Sequence, residues 1–275
     1  MPSEQSEQKI TSKQNQKIKF VAKLRDRSKR NRVGLFIVEG FRECLRAFEN
    51  GVVFESLFFC AKFFRGNEFE KLVRHIVQTD IDVFELSEDV FEKISLRDGC
   101  DGILAICKTW KLSLGELKFR ENSLFLVVDG IEKSGNLGAL MRSAESANVD
   151  AMLVCNSVTD IFNHNVVRAS QGALFSLAIF QVSREEAWDI LIGNNVGIFA
   201  TTPSASTRYW EVDMGASSAI IVGSEHGGLP DFWLRDGRVT TISIPQLGCS
   251  DSLNVNDAAV IVLYDAIRQR LSQKG

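Results

Sequence analysis

The second half of the chain alternates short apolar runs with stretches of helical length, and this alternation constrains its fold more than any other feature. The runs are continuously apolar, which is typical of strands buried on both faces of a parallel sheet. We therefore predict an α/β fold in which helices cover a largely parallel sheet, with ligands at the carboxyl ends of its strands. Strands are predicted at 124–128, 151–155, 176–182, 196–200, 219–223 and 239–244, and helices at 137–147, 164–174, 184–193, 230–236 and in a closing stretch to about 271.

The first half carries the same two signals over shorter lengths. Apolar runs at 35–40 and 56–60 and a helical stretch at 69–78 predict a smaller α/β domain. The polar N-terminus lacks apolar periodicity, and mixed polarity near the middle of the chain indicates a linker. The predicted division is a flexible tail at 1–16, a first domain at 17–107, a linker at 108–122 and a second domain at 123–275.

Basic residues are concentrated at the start of the first domain. Residues 9–32 contain ten lysines and arginines and one acid, Asp26, although the net charge of the chain is only -3. Ile18, Val21 and Leu24 fall on one side of a helix that would display the charge outward. A solvated basic helix and a surface for RNA phosphates both fit this pattern. The candidate RNA-binding residues here are Lys19, Lys23, Arg25, Arg27, Arg30 and Arg32.

Other patterns exclude several classes of protein. The six cysteines form no C-x-x-C pair and the three histidines are dispersed, so neither a disulfide framework nor a metal site is predicted. No apolar run approaches the roughly 20 residues of a membrane-spanning helix, and the N-terminus lacks the apolar core of a signal peptide. We therefore expect a cytoplasmic protein without a membrane partner.

Three polar, glycine-containing segments follow predicted strands. In the first, DGIEKSGNLGALMRSAES at 129–146, Asn136 precedes a helix that carries Arg142. A capped helix with an exposed arginine fits these residues, and so does an anchor for a phosphate or a ribose. In the second, IVGSEHGGLP at 221–230, Glu225 lies among glycines at a strand end. Glycines there permit close approach to a flat ligand, and a simple turn would not need the carboxylate.

The third segment, ISIPQLGCSDSLNVNDAA, begins in the last predicted strand and leads into the closing helix. Ser252 is predicted to cap this helix. Capping by Ser252 leaves Asn254 and the preceding loop unexplained, and a helix start is also suited to receiving a polar ligand. Spacing alone does not decide between these two interpretations.

Together the three segments resemble the motifs of the SpoU (TrmH) family within the SPOUT class of RNA ribose methyltransferases. They match N-x-G-x-x-x-R, G-x-E-x-x-G, and I-P followed downstream by S-L-N-V. The matching residues are Asn136, Gly138 and Arg142, then Gly223, Glu225 and Gly228, then Ile244, Pro245 and 252–255. The stretch 166–174 is similar to the family's intervening helix through Arg168, Ser170 and Gly172, and 23–47 is similar to a ribosomal-protein-like substrate-binding domain.

This resemblance implies a trefoil-knotted parallel sheet whose backbone groups bind S-adenosyl-L-methionine (AdoMet). The implied cofactor residues are Thr201, Thr202, Gly223, Glu225, Gly227, Gly228, Ile244, Gln246 and Leu253. The implied catalytic residues are Arg142, Asn136, Glu225, Ser252 and Asn254, with Arg142 acting on the ribose 2′-hydroxyl, and Arg168 joins the RNA-binding candidates. No metal is expected. Ser224, Gln246 and Asn256 depart from residues common in the family, which leaves the choice of substrate open.

The expected activity is methyl transfer to structured RNA. The appended first domain favours 23S ribosomal RNA over transfer RNA. Related enzymes complete their site across a homodimer, and the closing helix offers a stripe of small apolar residues for such a contact. This stripe consists of Val255, Ala258, Ala259, Val262 and Ala266, and burial in the protein's own core would explain it equally well.

Two alternatives belong to other classes. A dinucleotide-dependent oxidoreductase would need a G-x-G-x-x-G fingerprint with an acidic residue about 20 positions on, and the chain lacks both. A noncatalytic RNA-binding factor for ribosome assembly would retain the fold without the chemistry. The presence of Arg142, Glu225, Ser252 and Asn254 argues against that alternative.

Overall fold

A computed structural model of the chain describes residues 8–79, 81–224, 227–249 and 252–273. They divide into two compact units. The first unit holds the described residues up to Trp110 together with Asp160–Ser176, and the second holds Lys111–Thr159 and the described residues from Leu177 onward. The return of Asp160–Ser176 to the first unit differs from the sequence-based division, which kept this segment in the second domain.

Helices and strands alternate along most of the described chain. Up to Trp110 they are β1 (Gln8–Ile10), α1 (Gln16–Lys23), α2 (Arg27–Val33), β2 (Leu35–Glu39), α3 (Phe41–Glu49), β3 (Phe54–Phe59), α4 (Asn67–Val77), β4 (Asp82–Leu86), α5 (Glu88–Ile94) and β5 (Ile103–Lys108). Further on they are β6 (Leu124–Asp129), α6 (Ser134–Ser146), β7 (Ala151–Cys155), α7 (His164–Ser170), α8 (Ala173–Ser176), β8 (Ile179–Val182), α9 (Arg184–Gly193), β9 (Gly197–Thr201), β10 (Ser218–Val222), α10 (Asp231–Leu234), β11 (Val239–Ile242) and α11 (Val255–Ser272).

The first unit contains a mixed five-stranded sheet in the order β1-β4-β3-β5-β2. Strands β1, β4 and β3 are parallel, and β5 is antiparallel to β3 and β2. The edge strand β1 corrects the sequence analysis, because residues 8–16 were predicted to be part of a flexible tail. Ile10 explains the difference, since its side chain is buried in the same apolar core as Ile18 and Val21. Residues 1–7 of the predicted tail lie outside the described residues.

The basic segment forms two helices where the sequence predicted one. Asn15 and Asp26 cap α1 and α2, and each accepts a hydrogen bond from the backbone N–H two residues further on. Ile18, Val21 and Leu24 are buried, as the helical spacing predicted. The second cap shows why the helix is interrupted, because Asp26 satisfies the exposed N–H groups of a new helix.

Arg30 is buried, which contradicts its prediction as an RNA-binding residue. Its guanidinium forms a salt bridge with Asp160 at 2.7 Å, and the two side chains are 2% and 9% exposed. Nη1 also donates hydrogen bonds to the carbonyl oxygens of Leu24 (3.0 Å) and Arg25 (2.7 Å). The charge of Arg30 is therefore compensated inside the first unit and is not available to a ligand.

Apolar contacts also hold Asp160–Ser176 in the first unit. Helix α7 packs against β2, and the ring of Phe162 lies 4.7 Å from that of Phe36 on β2. The predicted helix at 164–174 is interrupted where Gln171 and Gly172 adopt positive φ angles of 49° and 95°. Only glycine fits the second position, because a Cβ there would lie 2.7 Å from the Cβ of Arg46.

The second unit contains a six-stranded sheet in the order β11-β9-β10-β6-β7-β8. Every pairing in it is parallel, which confirms the predicted parallel sheet. Strands β6, β7 and β10 are buried along their whole length, as their continuous apolar sequences require. Among the described residues, no helix is long and apolar enough to cross a membrane, and no group of His, Cys, Asp and Glu side chains could hold a metal ion.

Candidate active site

A cavity of about 250 Å³ lies where β9, β10 and β11 end and α11 begins. Its volume is slightly below the roughly 300–1,000 Å³ typical of small-molecule sites. The parallel register brings the strand ends together, since Thr201 of β9 lies opposite Ile242 of β11. The lining residues are Thr201, Thr202, Pro203, Val222, Gly223, Ser224, Gly228, Ile244, Gln246, Ser252, Leu253, Val255 and Ala258.

Most of the predicted cofactor residues meet at this cavity. Those that line it are Thr201, Thr202, Gly223, Gly228, Ile244, Gln246 and Leu253. Gly227 is exposed beside it, and its N–H donates a hydrogen bond to Ser224 Oγ at 3.0 Å. Glu225 lies outside the described residues. Ser252, predicted to be catalytic, lines the same cavity, so two of the predicted sets share one place in the fold.

The loop after β10 closes on itself through glycine. Ser224 and Gly228 exchange two backbone hydrogen bonds of 3.2 and 3.1 Å, and Gly228 has a φ of 62°. A Cβ on Gly223 would lie 2.3 Å from the carbonyl oxygen of Gly228, closer than van der Waals contact allows. The glycines are therefore required for the loop itself, and the loop presents its backbone to the cavity.

One buried polar side-chain atom of the cavity lining has no hydrogen-bond partner among the described residues. Thr201 Oγ1 is buried and forms no hydrogen bond within the described part of the chain. An unsatisfied buried hydroxyl costs roughly 1–3 kcal/mol, so such groups are usually kept for a ligand or an ordered water. The position of Thr201 at the end of β9 makes its hydroxyl a candidate ligand contact.

Hydrogen bonds join the first and third motif segments. Asn254 Nδ2 donates to Asn136 Oδ1 at 3.3 Å, and Ser143 Oγ donates to Asn256 Oδ1 at 2.8 Å. Asn254 is also the N-cap of α11 and accepts a hydrogen bond from the N–H of Asn256 at 2.9 Å. The prediction that Ser252 caps this helix was therefore wrong. Asn254 therefore has a structural role that the sequence analysis did not assign to it.

Arg142 lies on the exposed side of α6. Within the described residues its side chain forms no hydrogen bond or ion pair, in contrast to nearby Asn136. Helix α6 packs against α11, the helix that begins at the cavity. Arg142 thus presents an uncompensated charge on α6, the helix that also carries Asn136.

A buried carboxylate behind the site escaped the sequence analysis. Asp129, at the end of β6, is 1% exposed, forms a salt bridge with Arg184, and accepts a hydrogen bond from Trp233 Nε1 at 2.7 Å. The hydrogen bond with Asp129 raises the pKa of Arg184 above its ordinary value. The sequence signal that could have revealed it is an aspartate at the end of an otherwise apolar strand. The network fixes the strand end from which the Asn136 segment departs.

The remaining predicted RNA-binding residues are all exposed and belong to the first unit. They are Lys19, Lys23, Arg25, Arg27, Arg32 and Arg168. Their exposure leaves them accessible to a ligand, unlike Arg30.

Fold and site together define the class of protein. The model of the SpoU rRNA Methylase family matches residues 123–264, and that of an MRM3-like substrate binding domain matches residues 15–105. The first match spans more than half of the chain. The chain belongs to the SpoU rRNA methylase family.

Relatives match over nearly the whole length. The 23S rRNA (guanosine(2553)-2'-O)-methyltransferase RlmP of Bacillus subtilis (strain 168) is 28% identical over 256 residues, which cover 93% of this chain and 97% of the relative. A solved RNA 2'-O ribose methyltransferase is 37% identical with a TM-score of 0.83, covering 96% of this chain and 99% of its own. An AdoMet-bound rRNA methyltransferase from Sinorhizobium meliloti is 26% identical with a TM-score of 0.85, covering 95% and 97%.

Gly223→Ala tests the closed loop. The added Cβ meets the Gly228 backbone, so we expect the free energy of unfolding to fall by about 1–3 kcal/mol in urea denaturation followed by circular dichroism. Gly193→Ala, at the end of α9, is the matched control, because its added Cβ meets nothing within 4 Å. Replacing a glycine in a helix should leave stability unchanged or slightly raise it. Equal stability of the Gly223→Ala and wild-type proteins would contradict the steric requirement.

Proposed function

We propose that this chain transfers a methyl group from AdoMet to a ribose 2′-hydroxyl of 23S ribosomal RNA. The observation that carries the proposal is the cavity at the carboxyl ends of β9, β10 and β11, where residues of separate motif segments meet. The B. subtilis relative is named for 23S rRNA 2'-O-methylation, and the S. meliloti structure for an AdoMet-bound rRNA methyltransferase. Both names favour ribosomal over transfer RNA.

The cavity has features that suit AdoMet. Thr201 Oγ1 supplies a buried hydroxyl that has no hydrogen-bond partner among the described residues, and the tight glycine loop brings backbone groups to the lining. Val222, Ile244 and Leu253 add apolar surface for a flat ring. When bound, AdoMet supplies an electrophilic methyl group on a sulfonium centre.

Arg142 is assigned to the acceptor side of the reaction. A guanidinium remains protonated near neutral pH, so it is a donor and a positive charge and is poorly suited to removing a proton. We assign Arg142 to stabilising the 2′-oxygen as negative charge develops on it and to holding an adjacent phosphate. The assignment is supported by its exposed, uncompensated side chain on α6.

Three further residues are assigned to orient the acceptor and the loop around it. Asn136 and Asn254 are linked at 3.3 Å and couple α6 to the start of α11. Ser252 lines the cavity two residues before that cap. A fourth residue, Glu225, is assigned to catalysis and cofactor binding on the motif match alone.

The direct test incubates the purified chain with labelled AdoMet and, separately, unmodified 23S ribosomal RNA and unmodified transfer RNA. We expect label in the ribosomal RNA, mapped by mass spectrometry to a 2′-O-methylated nucleotide. Arg142→Ala should lower kcat by about 100-fold or more, the usual effect of losing one oxyanion donor, with AdoMet affinity within a few-fold of wild type.

Arg235→Ala is the matched control, because this exposed arginine on the second unit is paired with Asp231. Label only in transfer RNA would contradict ribosomal RNA as the substrate and identify transfer RNA instead. Label in neither pool despite AdoMet binding would favour a noncatalytic assembly factor. Unchanged turnover in Arg142→Ala would remove Arg142 from the mechanism.

Thr201→Val separates stability from cofactor binding. Removing a buried hydroxyl without a partner should leave the unfolding free energy of the free protein unchanged or slightly higher, while AdoMet binding weakens about tenfold in calorimetry. Thr79→Val is the control with opposite behaviour, because Thr79 Oγ1 donates to the carbonyl of Ile76 at 2.6 Å in the first unit. It should lower stability and leave AdoMet affinity intact. Equal AdoMet affinity of Thr201→Val and wild type would exclude this contact.

We further propose a homodimer, on evidence other than the stripe predicted from sequence. Val255, Ala259, Val262 and Ala266 are buried in the second unit, so they are not available for a subunit contact. Large apolar side chains that are exposed on α11 support the dimer instead. Tyr264 is 47% and Leu271 67% exposed, one heptad apart on the helix, and Trp210 nearby is 51% exposed.

Light scattering should give twice the 30.7 kDa of one chain. Tyr264→Arg together with Leu271→Arg should shift the protein to the monomer, because the pair places two charges in the proposed contact. Val53→Arg is the control at an exposed apolar residue of the first unit. A monomeric wild type would contradict the dimer.

A trefoil knot and a cytoplasmic location complete the proposal. The chain just after β11 pairs with the loop between β9 and β10 through Ser243 N to Thr207 O (2.9 Å), and α11 binds the same loop through Arg270 Nη2 to Ala216 O (2.7 Å). Contacts of the C-terminal segment with two parts of one loop support threading. Ribosomal RNA as the substrate supports the location.

A further inference from the structure

Four exposed arginines of the first unit are held by uncharged hydrogen-bond acceptors. The bonds run from Arg25 to the carbonyls of Lys93, Ile94 and Ser95 (3.3, 3.3 and 3.0 Å), from Arg42 to Gln171 Oε1 (3.0 Å), from Arg65 to the carbonyl of Gly99 (3.2 Å) and from Arg168 to Asn165 Oδ1 (3.4 Å). Within the described chain none of the four forms an ion pair. Their guanidinium groups are therefore oriented while their charge remains uncompensated.

The four arginines surround two adjoining cavities. One, of about 540 Å³, is lined by Arg25 and Arg168, and the other, of about 500 Å³, by Arg42, Arg65 and Arg168. Arg97 lines both and joins them. By contrast, three exposed arginines elsewhere are paired with a neighbouring carboxylate, Arg74 with Glu70, Arg235 with Asp231 and Arg238 with Asp236.

The carboxylates of the cavities do not cancel this charge. Asp101 pairs with Arg97 at 2.7 Å, and Glu43 is buried. Glu92 and Asp98 are exposed and line only the first cavity. The exposed groups around the two cavities are thus four arginines against two acids, with a net positive charge.

Two further side chains equip the cavities for a nucleotide. His164 lines the first cavity, and its Nδ1 is buried without a hydrogen-bond partner in the described chain. Burial, followed by the charges of Arg30, Arg25 and Arg168, lowers the pKa of His164, so its ring is neutral at pH 7. Phe41 lines the second cavity with its ring 4.4 Å from that of Phe69, which offers an aromatic surface for a base.

We propose that Arg25, Arg42, Arg65 and Arg168 bind successive phosphates of the RNA substrate along these two cavities, with His164 and Phe41 contacting its nucleotides. The proposal rests on the RNA methyltransferase function and names where the substrate backbone is held. Four fixed guanidinium groups spread over two cavities fit a polyanion, whereas a single phosphate would need only one or two. Arg168 contributes from α7, a helix inside the family match at 123–264 that nevertheless packs in the first unit.

Salt dependence of RNA binding is the test, because each phosphate contact contributes about 0.7–0.9 to the slope of log affinity against log salt. The full chain is titrated against unmodified 23S ribosomal RNA between about 50 and about 200 mM NaCl. Replacing Arg42, Arg65 and Arg168 together by glutamine should lower the slope by about 2–3 and weaken binding at least tenfold at low salt. The same three positions changed to lysine should keep the slope, since the charge remains, with an affinity between the two.

Arg74→Gln is the matched control, an exposed arginine of the same unit whose charge is already paired. It should leave slope and affinity unchanged. Circular dichroism and AdoMet affinity are measured on every variant, and the triple glutamine variant should retain both. His164→Ala should weaken RNA binding several-fold, and His164→Asn, which keeps a donor near the position of Nδ1, should restore part of the loss.

A triple glutamine variant that is folded and binds RNA with the wild-type slope would overturn the proposed phosphate contacts and leave the methyltransferase function standing. Wild-type protein that binds 23S RNA with the expected arginine dependence but methylates nothing would support the contacts and refute the function. A wild type that binds neither RNA pool would refute both.

Discussion

The parallel register of the six-stranded sheet is the constraint on which the candidate active site depends. Because β9, β10 and β11 run in the same direction, their carboxyl ends reach one edge, and the three loops that follow them meet there. Each loop is then shaped locally. The glycine loop after β10 needs Gly223 because a Cβ would collide with the backbone of Gly228. The direction of the strands therefore determines where the cavity lies, and a few loop residues determine its lining.

The buried Asp129 network stabilises the strand end from which the Asn136 segment departs. Asp129 is held by Arg184 at the start of α9 and by Trp233 on α10, so one carboxylate joins β6 to two helices. Removing either partner would leave a buried charge with too few donors, which costs several kcal/mol in comparable pairs. This interaction supports the site without lining it. Loop positions that depend on such a network are sensitive to changes far from the cavity.

Periodicity and local motifs in the sequence predict only part of this structure. The parallel sheet follows from continuous apolar strands, whereas the predicted cofactor residues rested on the resemblance to the SpoU family. Long-range pairing was not predictable. Arg30 lies among other basic residues and nothing in the local sequence distinguishes it from them. It is buried because it pairs with Asp160, which is 130 positions away. Ser252 and Asn254 are both good caps, and only the backbone geometry selects Asn254. The small-residue stripe on α11 is equally compatible with a core and an interface until its burial is known.

The return of Asp160–Ser176 to the first unit changes how the chain is understood as two domains. A cut at the predicted linker of 108–122 would separate this segment from β2, against which α7 packs, and from Arg30, the buried partner of Asp160. An isolated second half would then carry an unpaired Asp160 and the uncovered apolar residues Val166 and Val167. Since the same segment carries His164 and Arg168, the surface proposed to bind RNA exists only when both halves of the sequence are present. The parts proposed for substrate binding and for methyl transfer are thus interleaved along one chain.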